Sequence, residues 1–253
     1  MIITLKHEDQ TYSCDLSRPL DISIPLGQVR CFHAPPVAMT PYQSGDFIGS
    51  VKKGAPVNFY NVQLNPHGNG THTESLGHIT RKQESINKQF QQYHLISRLI
   101  TVPLKNIGEA DKVITVTALK AAHSGMLPPA VIIRTQPNTT DKLSMDYSDT
   151  NPPYVDKRAM QYLVDQGVKH LLIDLPSVDR EVDKGLLVAH HIFWKVEGDQ
   201  ATSASRKECT ITELIYVDNK VHDGLYLLNL QVVPLELDAS PSRPVLFSLK
   251  QQL

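Results

Sequence analysis

Residues Asp156–Leu175, DKRAMQYLVDQGVKHLLIDL, carry the clearest structural signal in the chain. Asp156–Asp165 reads as a helix, with Asp156 near its start and Gly167 just past its end. Val168–Leu175 follows as a strand that is largely apolar on both faces, as a parallel strand covered on both sides should be. Moving outward, Ala130–Thr135 and residues 95–104 read as strands, and Val116–His123 as a helix with Thr115 or Thr117 as its N-cap. Residues 84–94 suggest a short helix, and residues 136–154 a polar loop. Downstream, residues 186–194 are apolar around the adjacent His190 and His191, and strands are expected at 210–217, 224–235 and 244–249. Upstream, strands at 2–5 and 10–14 flank a turn at His7–Asp9, and 57–64 alternates as a strand. Strands outnumber helices and helix–strand units are mixed among them, which predicts an α/β or α+β fold. No linker divides the chain, so residues 1–253 are expected to form a single domain.

The composition narrows the function classes. The chain has 253 residues, 41% of them hydrophobic and 20% charged, enough to bury a core. Its net charge of −1 offers no basic excess for nucleic acid or an anionic membrane. No apolar run is long enough for a transmembrane helix, and MIITLKHEDQ lacks the apolar region of a secretory signal. Cys14, Cys31 and Cys209 are too few and too scattered for a disulfide framework. A reducing, cytoplasmic location is the expectation. The 11 histidines stand out, four of them within residues 67–94.

The chemistry concentrates in Asn65–His78, NPHGNGTHTESLGH. His72, Glu74 and His78 share parity, so an extended backbone would turn all three to one face. Imidazole and carboxylate on one face form a ligand set for Zn²⁺, Mn²⁺ or Fe²⁺. His67 has the opposite parity and reaches that face only if the chain bulges, which Gly68 and Gly70 would favour. Any one such residue is more often solvated or hydrogen-bonded than metal-bound; three together beside a two-glycine bend are harder to dismiss. His190 and His191, and Glu213, are weak signals alone.

GTHTESLGH resembles the HxGTHxDxPxH signature of the cyclase family of metal-dependent hydrolases, which includes bacterial kynurenine formamidases and isatin hydrolases. DLSRPLDISIP (15–25), ITELIYV (211–217) and PLELDASPSRPVL (234–246) resemble other family segments in the same order. The resemblance implies a swivelling β/β/α fold of mixed sheets with flanking helices, a site for one or two divalent metal ions, and assembly as a homodimer or homotetramer. It places His72, Glu74 and Glu213 among the metal ligands and gives His78 a role in proton transfer. His190, followed by Phe193 and Trp194, fits the late histidine ligand better than His191. The family's first histidine falls on Gly68, one residue from His67. Glutamate replaces aspartate at 74, leucine replaces proline at 76, and the distance from His190 to Glu213 implies an inserted loop around 196–208.

The expected activity is metal-assisted hydrolysis of a small amide, lactam or ester, with His67, His72, Glu74, His190 and Glu213 holding metal and His78 moving the proton. Zinc is the first choice of ion, with manganese or iron as alternatives. The competing reading is a protein of the same fold that binds a small molecule at a degenerate metal site without turnover, on account of the register change at Gly68. No GxSxG elbow supports a serine nucleophile. The Pro-rich segment 19–56 is long for an unsupported loop, and a neighbouring subunit would give it something to pack on.

Overall fold

The computed structural model describes residues 1–252. Eleven strands form the main sheet. In chain order they are β1 (Ile2–His7), β2 (Gln10–Asp15), β3 (Leu20–Asp21), β4 (His72–Glu74), β5 (His94–Pro103), β6 (Ala130–Gln136), β7 (His170–Ile173), β8 (Thr210–Glu213), β9 (Gly224–Asn229), β10 (Ala239–Pro241) and β11 (Val245–Gln251). The helices are α1 (Ile86–Gln89), α2 (Val116–Ala122), α3 (Lys157–Asp165) and α4 (Val188–Trp194). The sheet order is β1-β2-β11-β9-β5-β6-β7-β8-β4-β10, with β3 alongside β11.

The centre of the sheet is parallel: β5, β6, β7 and β8 are neighbours in sequence order, joined by crossovers through α2, α3 and α4. Antiparallel strands flank this unit, with β9 and β11 on one side and β4 and β10 on the other. The mixed sheet with helices is the α/β architecture expected from the sequence.

Both faces of the central strands are buried, and the alternation of side chains explains how. Val131 and Ile133 of β6 and Leu171 and Ile173 of β7 enter one core with Leu119 of α2, Leu163 of α3 and Phe193 of α4. Ala130, Ile132 and Leu172 turn the other way and pack with Leu228 of β9, Leu246 of β11, Ile86 and Phe90. The helix ends follow the chemistry read from sequence. Asp156 accepts the Arg158 N–H, Thr115 accepts the Ala118 N–H, and Gly167 takes φ +80 after α3.

Several expected elements are shorter or differently built. The helix at 84–94 is a single turn, and β5 begins at His94, because Phe90 and Leu95 are drawn into the core. The strand expected at 210–217 ends at Glu213, where Leu214 adopts φ +54 and turns the chain. The apolar run around His190 is a helix. Within the loop-rich region, Ala38–Pro41 pairs with Tyr60–Gln63 in a two-stranded ribbon whose second strand is exposed throughout. The supposed polar loop ends in Tyr154–Val155, part of a three-stranded sheet with 105–107 and 111–114. All three cysteines are free and buried, and no helix among the described residues is long and apolar enough to cross a membrane.

Candidate metal centre

β4 is the element on which the site is built. It is a buried three-residue strand wedged between β8 and β10, with His72 opposite Glu213 and Pro241, and Glu74 opposite Ile211 and Ala239. Alternation sends His72 and Glu74 to one face and Thr73 to the other, where its hydroxyl meets that of Thr212 at 2.8 Å. His72 Nδ1 donates to the Gly70 carbonyl at 3.0 Å, which fixes the ring and presents Nε2 to Glu213 Oε2 at 3.4 Å. The other Glu213 oxygen accepts the Val178 N–H at 2.9 Å.

His78 joins the cluster by a different route from the one its parity suggests. The strand stops at Glu74. Ser75 accepts the Gly77 N–H and starts a 3₁₀ turn, Leu76–Ile79, which carries His78 back over the site. Its Nε2 lies 3.9 Å from Glu74 Oε2.

His67 comes from the turn before the strand, not from a bulge within it. The Gly68 N–H is bonded to the Asn65 backbone and side-chain oxygens, and this fold-back sets His67 Nδ1 3.2 Å from Glu74 Oε2. The register change relative to the family has a steric cause. A Cβ on Gly68 would stand 2.2 Å from the Ala34 Cβ, well inside contact distance, so no histidine fits at 68 against Ala34.

α4 supplies His190. Its N-terminus is capped from a distance: Asp179 accepts the Ala189 N–H at 2.7 Å and the His190 N–H at 3.1 Å. The same carboxylate takes His190 Nδ1 at 2.6 Å, leaving Nε2 3.0 Å from Glu74 Oε1. His191 turns away, its Nδ1 donating to the Val196 carbonyl at 2.8 Å.

Four histidines and two glutamates therefore meet. His67, Glu74 and His78 offer ligand atoms within 4.8 Å of one another, as do His72, Glu74 and Glu213. His190 contacts Glu74 directly and has Glu213 Oε1 at 4.0 Å. Two carboxylates that the sequence reading does not single out support the cluster. Asp179 follows the buried parallel strand β7, and loops after such strands are where α/β sheets place ligand sites. Asp238 lies in the segment 234–246, where a resemblance is seen but no role is assigned to the aspartate.

The electrostatics suit a cation. Burial opposes charge on Glu74, yet the His78 and His190 charges and the neighbouring hydrogen bonds hold its carboxyl well below the usual range. Burial likewise disfavours charge on His67, but Asp238 and Glu74 outweigh it and push the imidazole up to about 10. His190 is raised well above the ordinary histidine value against its own burial, chiefly by Glu74 and Asp179. Protons on His67 and His190 thus balance the clustered carboxylates. Two buried atoms, His72 Nε2 and Glu74 Oε2, have no hydrogen-bond partner. His67 is near enough to attract Glu74 Oε2 but is not aligned to donate to it. Orphaned donors of this type, in a histidine–carboxylate set, fit a divalent metal ion.

A cavity of about 410 Å³ opens onto the cluster, lined by His67, His78, His190, Glu213 and, on its apolar side, Phe32 and Leu187. Two of its lining residues, Phe32 and Leu187, have positive φ, a strained conformation for bulky side chains. Glu181, also in the lining, accepts the N–H groups of Asp149 and Asn151. A cavity of about 490 Å³ beside Asp21 and Arg243 contains none of the clustered histidines.

The fold and this centre define an α/β protein of mixed sheet whose buried histidine–carboxylate cluster stands beside a ligand-sized cavity. A family model described as "Putative cyclase" matches residues 14–180, and the chain belongs to that family. The kynurenine formamidase of Bordetella petrii is 27% identical over 213 residues, covering 83% of this chain and 90% of that enzyme. Among solved structures, a predicted metal-dependent hydrolase from Bacillus stearothermophilus has the same fold, with a TM-score of 0.60 and 18% identity over 91% of this chain and 98% of that one. Isatin hydrolase A from Ralstonia solanacearum gives a TM-score of 0.62 and 14% identity, covering 91% of each chain.

Proposed function

We propose that the protein is a divalent-metal-dependent hydrolase of small amides, lactams or esters, acting through water. The observation that carries this reading is the pair of orphaned buried atoms, His72 Nε2 and Glu74 Oε2, within a histidine–glutamate cluster that faces a cavity. His67, His72, Glu74, His190 and Glu213 would hold the ion, zinc first and manganese or iron next. When bound, such an ion polarises a carbonyl oxygen and makes water a stronger acid. The chain's own residues supply the rest. His78 is part-buried, is tied through Nδ1 to Asp238 at 3.3 Å, and faces the cluster with Nε2, so it can accept a proton there or return it to a leaving nitrogen or oxygen. Phe32 and Leu187 line the cavity and offer apolar contact to a planar substrate.

The register change at Gly68, the ground for a binding protein without turnover, is offset by His67 entering the cluster from the adjacent position. The similarity to kynurenine formamidase and to isatin hydrolase supports aryl formamides and cyclic amides as the first substrates to try. The deciding experiment is metal analysis of the purified protein with hydrolysis assays on N-formylkynurenine, isatin and simple aryl esters. Stoichiometric metal and metal-dependent turnover of one of these is the expected result. A purified protein with no stoichiometric transition metal and no turnover of any would favour the binding reading.

We also propose that the protein is a homo-oligomer. Met39 and Val62 on the ribbon, with Phe59 beside it, are each more than half exposed, an apolar surface that a second copy would cover.

A further inference from the structure

Each histidine of the centre is held through one ring nitrogen, and the nitrogen that is held decides which one is left to bind. For His72 and His190 the atom held from outside the cluster is Nδ1, bonded to the Gly70 carbonyl and to Asp179 respectively, and the atom turned to the cluster glutamates is Nε2. His67 is the reverse. Its Nε2 lies 2.8 Å from Asp238 Oδ2, and its Nδ1 is the nitrogen facing Glu74. Entry from one residue before Gly68 explains the reversal: the ring comes in beside the strand, and the nitrogen nearer the backbone is the one that reaches the cluster.

Asp238 is built to hold that arrangement. Its backbone carbonyl accepts the Ser75 N–H at 2.9 Å and the Ser75 hydroxyl at 3.1 Å, which ties it to the start of the turn bearing His78. Oδ1 accepts from Gln83 at 3.0 Å, so the carboxylate cannot rotate freely. Oδ2 is shared between His67 Nε2 and His78 Nδ1, whose rings lie 4.3 Å apart, centroid to centroid.

We infer that Asp238 is a positioning residue that makes His67 an Nδ1 metal donor, in contrast to the Nε2 donors His72 and His190, while fixing His78 with Nε2 toward the reaction. This rests on the metal-dependent reading above, and the test separates the two.

The probe is Co²⁺ added to metal-free, full-length protein, with affinity read from the visible absorption of the bound ion and no substrate present. Nδ1-methylhistidine in place of His67 blocks the inferred donor atom and should weaken Co²⁺ binding by about tenfold or more. Asp238→Ala should weaken it about 10- to 100-fold, the range for loss of an outer partner of a ligating histidine. Asp238→Asn keeps an oxygen acceptor and should recover most of that loss, which a purely space-filling role would not require. Wild-type affinity in the Nδ1-methylhistidine protein overturns the inference, and so does wild-type affinity in Asp238→Ala. Should Asp238→Ala fail to fold, the methylated protein decides alone. A wild-type protein that takes up no Co²⁺ overturns the metal reading itself and this inference with it.

Discussion

His190 and His191 are neighbours in sequence, yet one is buried against Glu74 and Asp179 and the other is turned to a backbone carbonyl. Their substitutions should therefore separate cleanly. His190→Ala removes a candidate ligand and should lower metal content sharply. His191→Ala loses one hydrogen bond and should cost about 1 kcal/mol of stability with metal content unchanged; metal analysis and urea titration of the pair check both. Gly68 makes a second residue-scale case. Gly68→Ala should destabilise by about 1–3 kcal/mol by overpacking against Ala34, and adding Ala34→Gly should recover most of it, as urea midpoints of the single and double variants would show. At this scale the sequence was informative where residues are close together. The parity of His72 and Glu74 follows from alternation along one strand. His78 shares that parity but reaches the cluster from a helical turn, and Asp179 and Asp238 are invisible to spacing because they lie more than 100 residues from the motif they support.

Among elements, β7 shows how a buried polar residue within a strand shapes behaviour. His170 begins this strand with only 4% of its surface exposed, bonded to the Thr210 hydroxyl and set edge-on to Phe90. Burial, aided by the nearby Lys169 charge, pulls its imidazole down to about 4. Between pH about 6.5 and about 4 the unfolded chain binds a proton there that the folded chain does not. Stability should therefore fall as pH drops through that window, by roughly 3 kcal/mol at its lower end. His170→Gln should remove this part of the slope, measured as the difference between wild-type and variant urea midpoints at pH 7.5 and 4.5; equal slopes would sink the assignment. The helix–strand unit 156–175 was legible because α3 has a capping aspartate and a closing glycine, and because the strand is apolar on both faces. α4 was not, since five apolar residues around two histidines read equally well as strand or helix, and what fixes them as helix is the remote cap from Asp179. The small sheet formed by 105–107, 111–114 and 154–155 lacks the alternation that would announce it.

For the whole molecule, the ribbon of residues 38–41 and 60–63 predicts self-association. Val62→Glu places a charge on the apolar surface and should shift the protein toward a 28.3 kDa monomer by light scattering; a wild-type protein already monomeric at micromolar concentration would refute it. The wedging of β4 between β8 and β10 also sets the order in which the chain can become itself. Residues 72–74 are made early, but both strands that hydrogen-bond to them lie beyond residue 209, so during synthesis the motif waits, unpaired, while more than half the chain is added. Contacts of such long range form late. In refolding, the amides of residues 72–74 should gain protection in the slowest phase seen by pulsed hydrogen exchange, and protection in the first phase would contradict this order. The part of the sequence that declares the chemistry first would then be the part of the molecule that is finished last.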